Sequence, residues 1–314
     1  MNISNLNELL NTKIINEGKV LSVEGFSLNL NEVKYAYAFF SNDELEIKEA
    51  IKKGAFVIVY EKEIPILDKE IFYLQSQNLE VSIFRLLRFL CEEKEFKFLL
   101  CNPNEIHFAK TFYLKSLQEN IFLDFNSLIK ADKNEIFCSS NKNYILKLCA
   151  NFDQLNQVNF ALLESSSPFY INLICENIYF KNIKLPFIYA QIFANFISFL
   201  QEKKRDIRFN LNKLDFFQIY FIHYDFKPAE FGKSDRALIF VFNENDFEFF
   251  KENFKNIKGF KSALKNSLFC DFSYSHIFDL KNKDFKYCLI LDEHKNYIKD
   301  FYLQNEIEES NLFN

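Results

Sequence analysis

His223 and Asp225 stand two apart in FFQIYFIHYDF (Phe216–Phe226), a run whose aromatic and β-branched content predicts a strand. Alternate residues of a strand project from one face, so an imidazole and a carboxylate at this spacing could pass a proton between them. Lys233, Ser234 and Asp235 follow Gly232 in a polar break, where a lysine beside a serine offers a base and a nucleophile. The same composition is that of an ordinary turn. Asp292, Glu293 and His294 follow the apolar run Tyr287–Leu291, and the carboxyl end of a buried strand is where α/β sheets place ligands. His107, His276 and His294 have no partner at metal-ligand spacing and the seven cysteines form no C-x-x-C pair, so the sequence supports no metal site.

The glycines exclude more than the polar residues suggest. Only five occur in 314 residues, against a usual share of roughly 7%, and the 177 residues from Ala55 to Phe231 contain none. Loops that close backbone N–H groups around a phosphate need residues that take positive φ without strain. Neither G-x-G-x-x-G nor G-x-x-x-x-G-K-[ST] can be written anywhere in the chain, so no nucleotide cofactor is expected. A net charge of −5 and basic runs no longer than Lys203-Lys204-Arg205 argue against a nucleic-acid partner. Unpaired, scattered cysteines read as buried free thiols in a reducing cytosol, and MNISNLNELLNTK has no secretory pattern, so a cytoplasmic location is expected. The most apolar stretch, Leu185–Leu200, is 16 residues long and carries Gln191 and Asn195, short of the roughly 20 apolar residues of a membrane span. The 41 Phe and 15 Tyr accompany abundant Ile, Lys and Asn, a pattern of codon bias more than of an aromatic binding surface.

The elements that would position these residues alternate. Asn5–Asn11 predicts a short helix, Lys19–Ser27 two extended pieces turning at Gly25, and Tyr35–Phe40 a strand. A helix over Glu44–Lys53, capped by Asn42 or Asp43 and closed by Gly54, leads to the fully apolar strand Ala55–Tyr60. Strand Ile71–Gln75, helix Val81–Glu93, strand Phe96–Cys101 and a helix from Glu105 to Leu117 repeat the unit. Ile121–Phe125, Ile136–Cys138, Tyr144–Leu148, Phe160–Leu163 and Phe169–Phe180 read as strands, and a helix runs from Pro186 to Lys203. Ala237–Asn243, Asp246–Asn256 and Tyr287–Leu291 give a last strand, helix and strand before a polar tail after Phe301. The pattern predicts an α/β fold of mostly parallel or mixed sheets with flanking helices, in two to three small domains. The expected limits are 1–95, 96–226 and 227–314.

The strand Ala38-Phe39-Phe40 and the segment AIKKGAFVIVYE (Ala50–Glu61) follow one another at a spacing that resembles the N-terminal domain of the Mur ligases. These ATP-dependent enzymes add amino acids or dipeptides to the UDP-muramoyl peptide precursor. The family's D-S-R segment corresponds to Asn29-Leu30-Asn31, and its Pro-Gly turn to Tyr35-Ala36. Its glycine-rich G-T-N-G-K-T loop corresponds to Asn102-Pro103-Asn104-Glu105-Ile106-His107-Phe108-Ala109-Lys110-Thr111, which holds no glycine, and Glu105 puts a carboxylate where phosphate would lie. LPFIYAQIFANFISFL resembles the helix that follows the family's H-N-x-x-N segment.

The resemblance implies a central α/β domain without its phosphate loop and a non-catalytic, binding or regulatory protein of peptidoglycan precursor metabolism. Its partners would be cell-wall synthesis proteins or a UDP-linked precursor. The candidate ligand-binding residues are Asn29, Asn31, Ser41, Asn42, Asn102, Asn104, Lys110, Thr111, His223 and Asp225, with no catalytic residue assigned. Two other readings stay open: an active amide ligase with a nucleotide site rebuilt on Lys110, Thr111, His223 or Asp225, and an unrelated structural α/β protein.

Overall fold

Asparagine abundance shows first at the helix starts, where a short side-chain amide takes up an otherwise unpaired backbone N–H. The computed structural model describes residues 1–293 and 295. In it, α1 (Ile3–Leu10) is capped by Asn2, α2 (Glu44–Lys52) by Asp43 and α3 (Leu79–Glu93) by Asn78. Further along, α5 (Ile121–Lys130), α6 (Lys142–Leu148) and α8 (Glu244–Phe254) start on Asn120, Asn141 and Asn243. Pro103 opens α4 (Pro103–Thr111), a position where its missing N–H has no cost, and α7 (Ala190–Glu202) follows a short 3-10 turn over Phe187–Tyr189.

The chain divides into two compact units, Met1–Ala109 with Leu114–Leu155, and Lys110–Tyr113 with Asn156 onward. The expected limits after residues 95 and 226 fall inside these units. The first unit holds two sheets. One has the order β1-β5-β4-β3-β2, from β1 (Lys13–Asn16), β2 (Gly25–Ser27), β3 (Tyr37–Phe40), β4 (Ala55–Tyr60) and β5 (Phe72–Gln75), with only the β1–β5 pair antiparallel. The other is wholly parallel, in the order β7-β8-β6-β9, from β6 (Lys97–Leu100), β7 (Lys115–Ser116), β8 (Ile136–Ser139) and β9 (Asp153–Gln154). The α3 stripe Ile83, Leu86, Leu87 and Leu90 packs in one core with Leu6, Leu10, Phe98, Phe125, Phe137 and Ile145. Burying each such side chain contributes about 1.5–3 kcal/mol, which is what holds these short strands and helices together.

In the second unit β10 (Ala161–Leu163), β11 (Ile171–Cys175) and β12 (Ile178–Ile183) form an antiparallel sheet in that order. A five-stranded sheet follows in the order β13-β14-β17-β15-β16, from β13 (Phe217–Ile222), β14 (Arg236–Val241), β15 (Phe260–Lys265), β16 (Phe272–Tyr274) and β17 (Tyr287–Leu291). Only its β13–β14 pair is antiparallel. Phenylalanine fills this unit: Phe112 stacks on Phe196 at 5.1 Å, and the Tyr189 ring lies against Phe216, Phe217 and Phe250. The architecture is α/β with mixed and parallel sheets, as composition and alternation predict.

Several elements differ from expectation. Ile121–Phe125 and Tyr144–Leu148 are not strands but the starts or bodies of α5 and α6. Asn120 and Asn141 accept the first helical N–H groups, and Ile121, Phe125 and Leu128 bury one face at helical spacing. Phe169–Phe180 is no single strand: Glu176 and Asn177, at φ 50° and 62°, fold it into the β11–β12 hairpin through a two-residue left-handed turn. The helix expected to reach Leu117 stops at Thr111, and the strand expected to reach Phe226 stops at Ile222. β1, β7, β9, β15 and β16 have no counterpart among the expected strands, and the tail after Phe301 lies outside the described residues. Left-handed turns are made here mostly without glycine. Thirteen non-glycine residues among those described have positive φ, Ala36, Glu95, Glu119 and Lys204 among them.

Candidate functional site

The wholly parallel sheet reverses direction in its middle. From β6 the chain crosses over β8 to reach β7, and from β8 it crosses back over β6 to reach β9, so the carboxyl ends of β6 and β8 form a topological switch point, where open α/β sheets bind ligands. A cavity of about 460 Å³ lies there, lined by Cys101, Asn102 and Glu105 after β6, Ser140 and Lys142 after β8, and Gln154 on β9.

Both sets of backbone donors facing this crevice are already engaged by carboxylates of the chain itself. Glu105 Oε2 accepts from the Asn102 N–H at 2.8 Å while Asn102 Oδ1 accepts from the Glu105 N–H at 2.9 Å, a reciprocal brace on the start of α4. Burial pushes the Glu105 carboxyl up from its ordinary range, against the lowering effect of the Asn102 N–H. On the neighbouring strand end, Glu119 Oε1 accepts from Ser139 Oγ at 2.9 Å, Ser140 N at 2.9 Å and Ser140 Oγ at 2.8 Å. Burial pushes the Glu119 carboxyl up, but these hydrogen bonds, Ser140 first, outweigh it and hold the group below its usual range. The Cys101 thiol on the crevice wall is pushed strongly up by its hydrogen bond with Cys138 and by burial, so it reads as a neutral packing group. Among anions, a polyphosphate entering this crevice would meet Glu105 where it needs N–H groups.

A second cavity of about 410 Å³ sits at the carboxyl ends of β3, β4 and β5, walled by Phe40, Leu79 and Phe122 and by Glu46, Glu61 and Glu80. Several of its polar groups are likewise engaged within the chain. Ser41 Oγ donates to Glu46 at 2.8 Å, Asn42 Oδ1 accepts from the Glu61 and Lys62 N–H groups at 2.7 and 3.2 Å, and Glu61 Oε2 accepts from the Leu79 N–H at the start of α3. Three carboxylates around one opening oppose a diphosphate by simple Coulomb repulsion.

Of the sequence-derived candidates, Ser41, Asn42 and Asn102 line cavities, and Asn104 is half-buried in the first turn of α4. Asn29 caps a 3-10 turn by accepting from the Asn31 N–H at 2.9 Å, and both are exposed. Tyr35-Ala36 keeps the geometry of a glycine turn: Ala36 has φ 63° and the Tyr37 N–H reaches the Lys34 carbonyl at 3.2 Å. Lys110 and Thr111 lie on the last turn of α4, about 10 Å along the axis from its start at 1.5 Å per residue. Lys110 is exposed there, and Thr111 is buried with its carbonyl taking the Asn210 N–H at 2.8 Å.

The shared strand face expected for His223 and Asp225 does not exist. β13 ends at Ile222, and both residues sit in an exposed turn where the His223 N–H donates to the Lys227 carbonyl and Asp225 Oδ1 accepts from the Lys227 N–H. The Ser234 hydroxyl donates to the Ile222 carbonyl, so Lys233-Ser234-Asp235 acts as turn chemistry. Asp292 is buried at the end of β17, and His294 lies outside the described residues. Among the described residues no group of three or more His, Cys, Asp or Glu is placed to hold a metal ion, and no helix is long and apolar enough to cross a membrane. Sequence reasoning missed Glu119, Ser140 and Lys142. The usable signal was the Ser139-Ser140 pair directly after an apolar run.

No family model and no curated protein matches the chain. Solved structures do. MurF from Acinetobacter baumannii aligns over 96% of this chain and 98% of its own at 8% identity, with a TM-score of 0.50. MurF ligase from Thermotoga maritima in complex with ADP aligns over 89% and 91% at 12% identity, with a TM-score of 0.47. At this identity the likeness to the Acinetobacter protein is one of fold, and the fold is that of the Mur ligases.

Proposed function

We propose that this chain is a Mur ligase-like protein that forms no amide bond and serves as a binding or regulatory partner in peptidoglycan precursor metabolism. The reading keeps three functional segments, 1–95, 96–226 and 227–314. The observation that carries it is the reciprocal Asn102–Glu105 brace at the carboxyl end of β6, which gives the anion position of a parallel-sheet crevice to a side chain of the protein. The acidic wall of the second cavity supports a protein of cell-wall synthesis over a UDP-linked precursor as the partner, because Glu46, Glu61 and Glu80 repel a diphosphate.

Lys142, Ser140 and Gln154 on the crevice rim favour the competing reading, an amide ligase with a rebuilt nucleotide site. Thermal and calorimetric titration with Mg-ATP, ADP and UDP-sugars separates the two. A ligand at a hundred times its Kd stabilises the folded state by about 2.7 kcal/mol. The expected outcome is no shift with any of them in the wild type. A saturable shift with ATP that is lost in Lys142→Ala would establish the ligase reading instead.

A further inference from the structure

The link between β15 and β16 is short for two parallel neighbours. Residues 266–271 return the chain from the end of one strand to the start of the next, where a parallel crossover ordinarily takes a dozen residues or more. Both ends of this arch are pinned. The Asn266 N–H donates to the Tyr274 carbonyl at 2.9 Å, and Asp271 Oδ2 accepts from Ser262 N and Oγ at 2.8 and 2.9 Å. Between the pins Leu268 and Phe269 are 92% and 88% exposed, adjacent large apolar side chains lifted off the body of the second unit.

The segment that carries this tip has a net charge opposite in sign to that of the whole protein. Residues 255–286 hold seven lysines and three aspartates with no arginine or glutamate, a net +4 within a chain of net −5. Lys265 ends β15 beside the arch, Lys261 pairs with Asp271 at 3.3 Å, and Lys283 holds its ammonium 5.8 Å from the Phe272 ring at the other foot. The one carboxylate in the arch is therefore already engaged by Ser262 and Lys261.

We propose that this arch docks the protein on an anionic phospholipid surface, with Leu268 and Phe269 entering the interface and Lys265 and Lys283 meeting the headgroups. Apolar insertion and lysine attraction are each weak alone and anchor reversibly in combination. A bilayer is favoured over a protein groove because lysines flank Leu268 and Phe269 on both sides along the chain, Lys265 before them and Lys283 after. This inference is independent of the reading of the two crevices.

The test is co-sedimentation of the full chain with vesicles of phosphatidylglycerol and phosphatidylcholine, and with phosphatidylcholine alone, at low and high salt. Binding is expected to the anionic vesicles, to weaken with salt, and to fall about fivefold in Lys265→Gln, the effect of one lysine near a charged surface. The double variant Leu268→Ser, Phe269→Ser is expected to lose at least tenfold, with an unchanged circular dichroism spectrum because neither side chain packs inside. Absence of sedimentation with anionic vesicles overturns the proposal, as does a double variant that binds like the wild type. A complex formed with a protein in place of vesicles, and abolished by the double variant, assigns the arch to a protein partner and also overturns it.

Discussion

Replacing Lys204 with glycine should stabilise the second unit. Lys204 follows the last turn of α7 at φ 54°, its N–H donates to the Gln201 carbonyl at 3.0 Å, and the next N–H, from Arg205, donates to the Leu200 carbonyl at 2.8 Å. This is the two-bond helix stop that glycine ordinarily supplies. An L-residue held in the left-handed region costs about 1–2 kcal/mol, and glycine removes that strain while adding about 0.4–1 kcal/mol of unfolded-chain entropy. The net gain is about 0.5–1 kcal/mol, or an increase of about 1–4 °C in Tm for a domain of this size. The Lys204 side chain is exposed, so little packing is lost. Urea unfolding followed by near-ultraviolet circular dichroism, which reads the abundant Tyr and Phe, measures the difference. Lys204→Ala keeps Cβ and should show none of the gain. The mirror-image control is Gly54→Ala: at φ 92° a new Cβ would come 3.2 Å from Tyr35 Cα, and stability should fall. The strain argument fails if Lys204→Gly is no more stable than Lys204→Ala.

The two crevice carboxylates should respond to pH with opposite signs. The fold raises Glu105 above its unfolded value of 4.5, so its favourable contribution is complete in acid and is lost as pH rises through the folded value. Glu105→Gln, which still accepts from Asn102, is expected to be more stable than wild type at pH 7 and equal to it below pH 4.5, in urea titrations across that range. Glu119 is lowered, so its contribution is present above 4.5 and lost on acidification. Glu119→Gln should therefore be less stable at pH 7, the gap closing as pH falls. Tyr144 donates to the buried Asp124 carboxylate at 2.8 Å, and Tyr144→Phe should cost about 1.5–3 kcal/mol in denaturant midpoints, the usual value for a hydrogen bond to a charged group.

Much of the fold was legible because local signals agreed with one another. Ala55–Tyr60 and Tyr287–Leu291 stand at the expected limits, and α2 runs between the cap Asp43 and the stop Gly54. Two of the errors trace to the scarcity of glycine as punctuation. The hairpin turn at Glu176-Asn177 and the stop of α4 before Tyr113 are made without glycine, whereas the ends of α3 and α7 fall where expected. At the site, Asn102 and Glu105 were readable since both belong to one loop-to-helix segment. Glu119 was not, because its role rests on reaching Ser139 and Ser140 from about twenty residues away, which no local pattern encodes. His223 and Asp225 misled through a strand boundary: aromatic content continued past Ile222 after the ladder had ended.

The brace between Asn102 and Glu105 has a consequence for physiology. A nucleotide-binding loop normally tightens when its guest arrives and relaxes when it leaves, which makes the enzyme a reporter of cellular energy supply. Here a carboxylate of the chain itself occupies the Asn102 N–H at fixed local concentration, and under the proposed role the loop would stay in one state whether the cell is starved or fed. Under the proposed role, such a partner would hold its shape through swings in adenylate level that alter the working ligases around it.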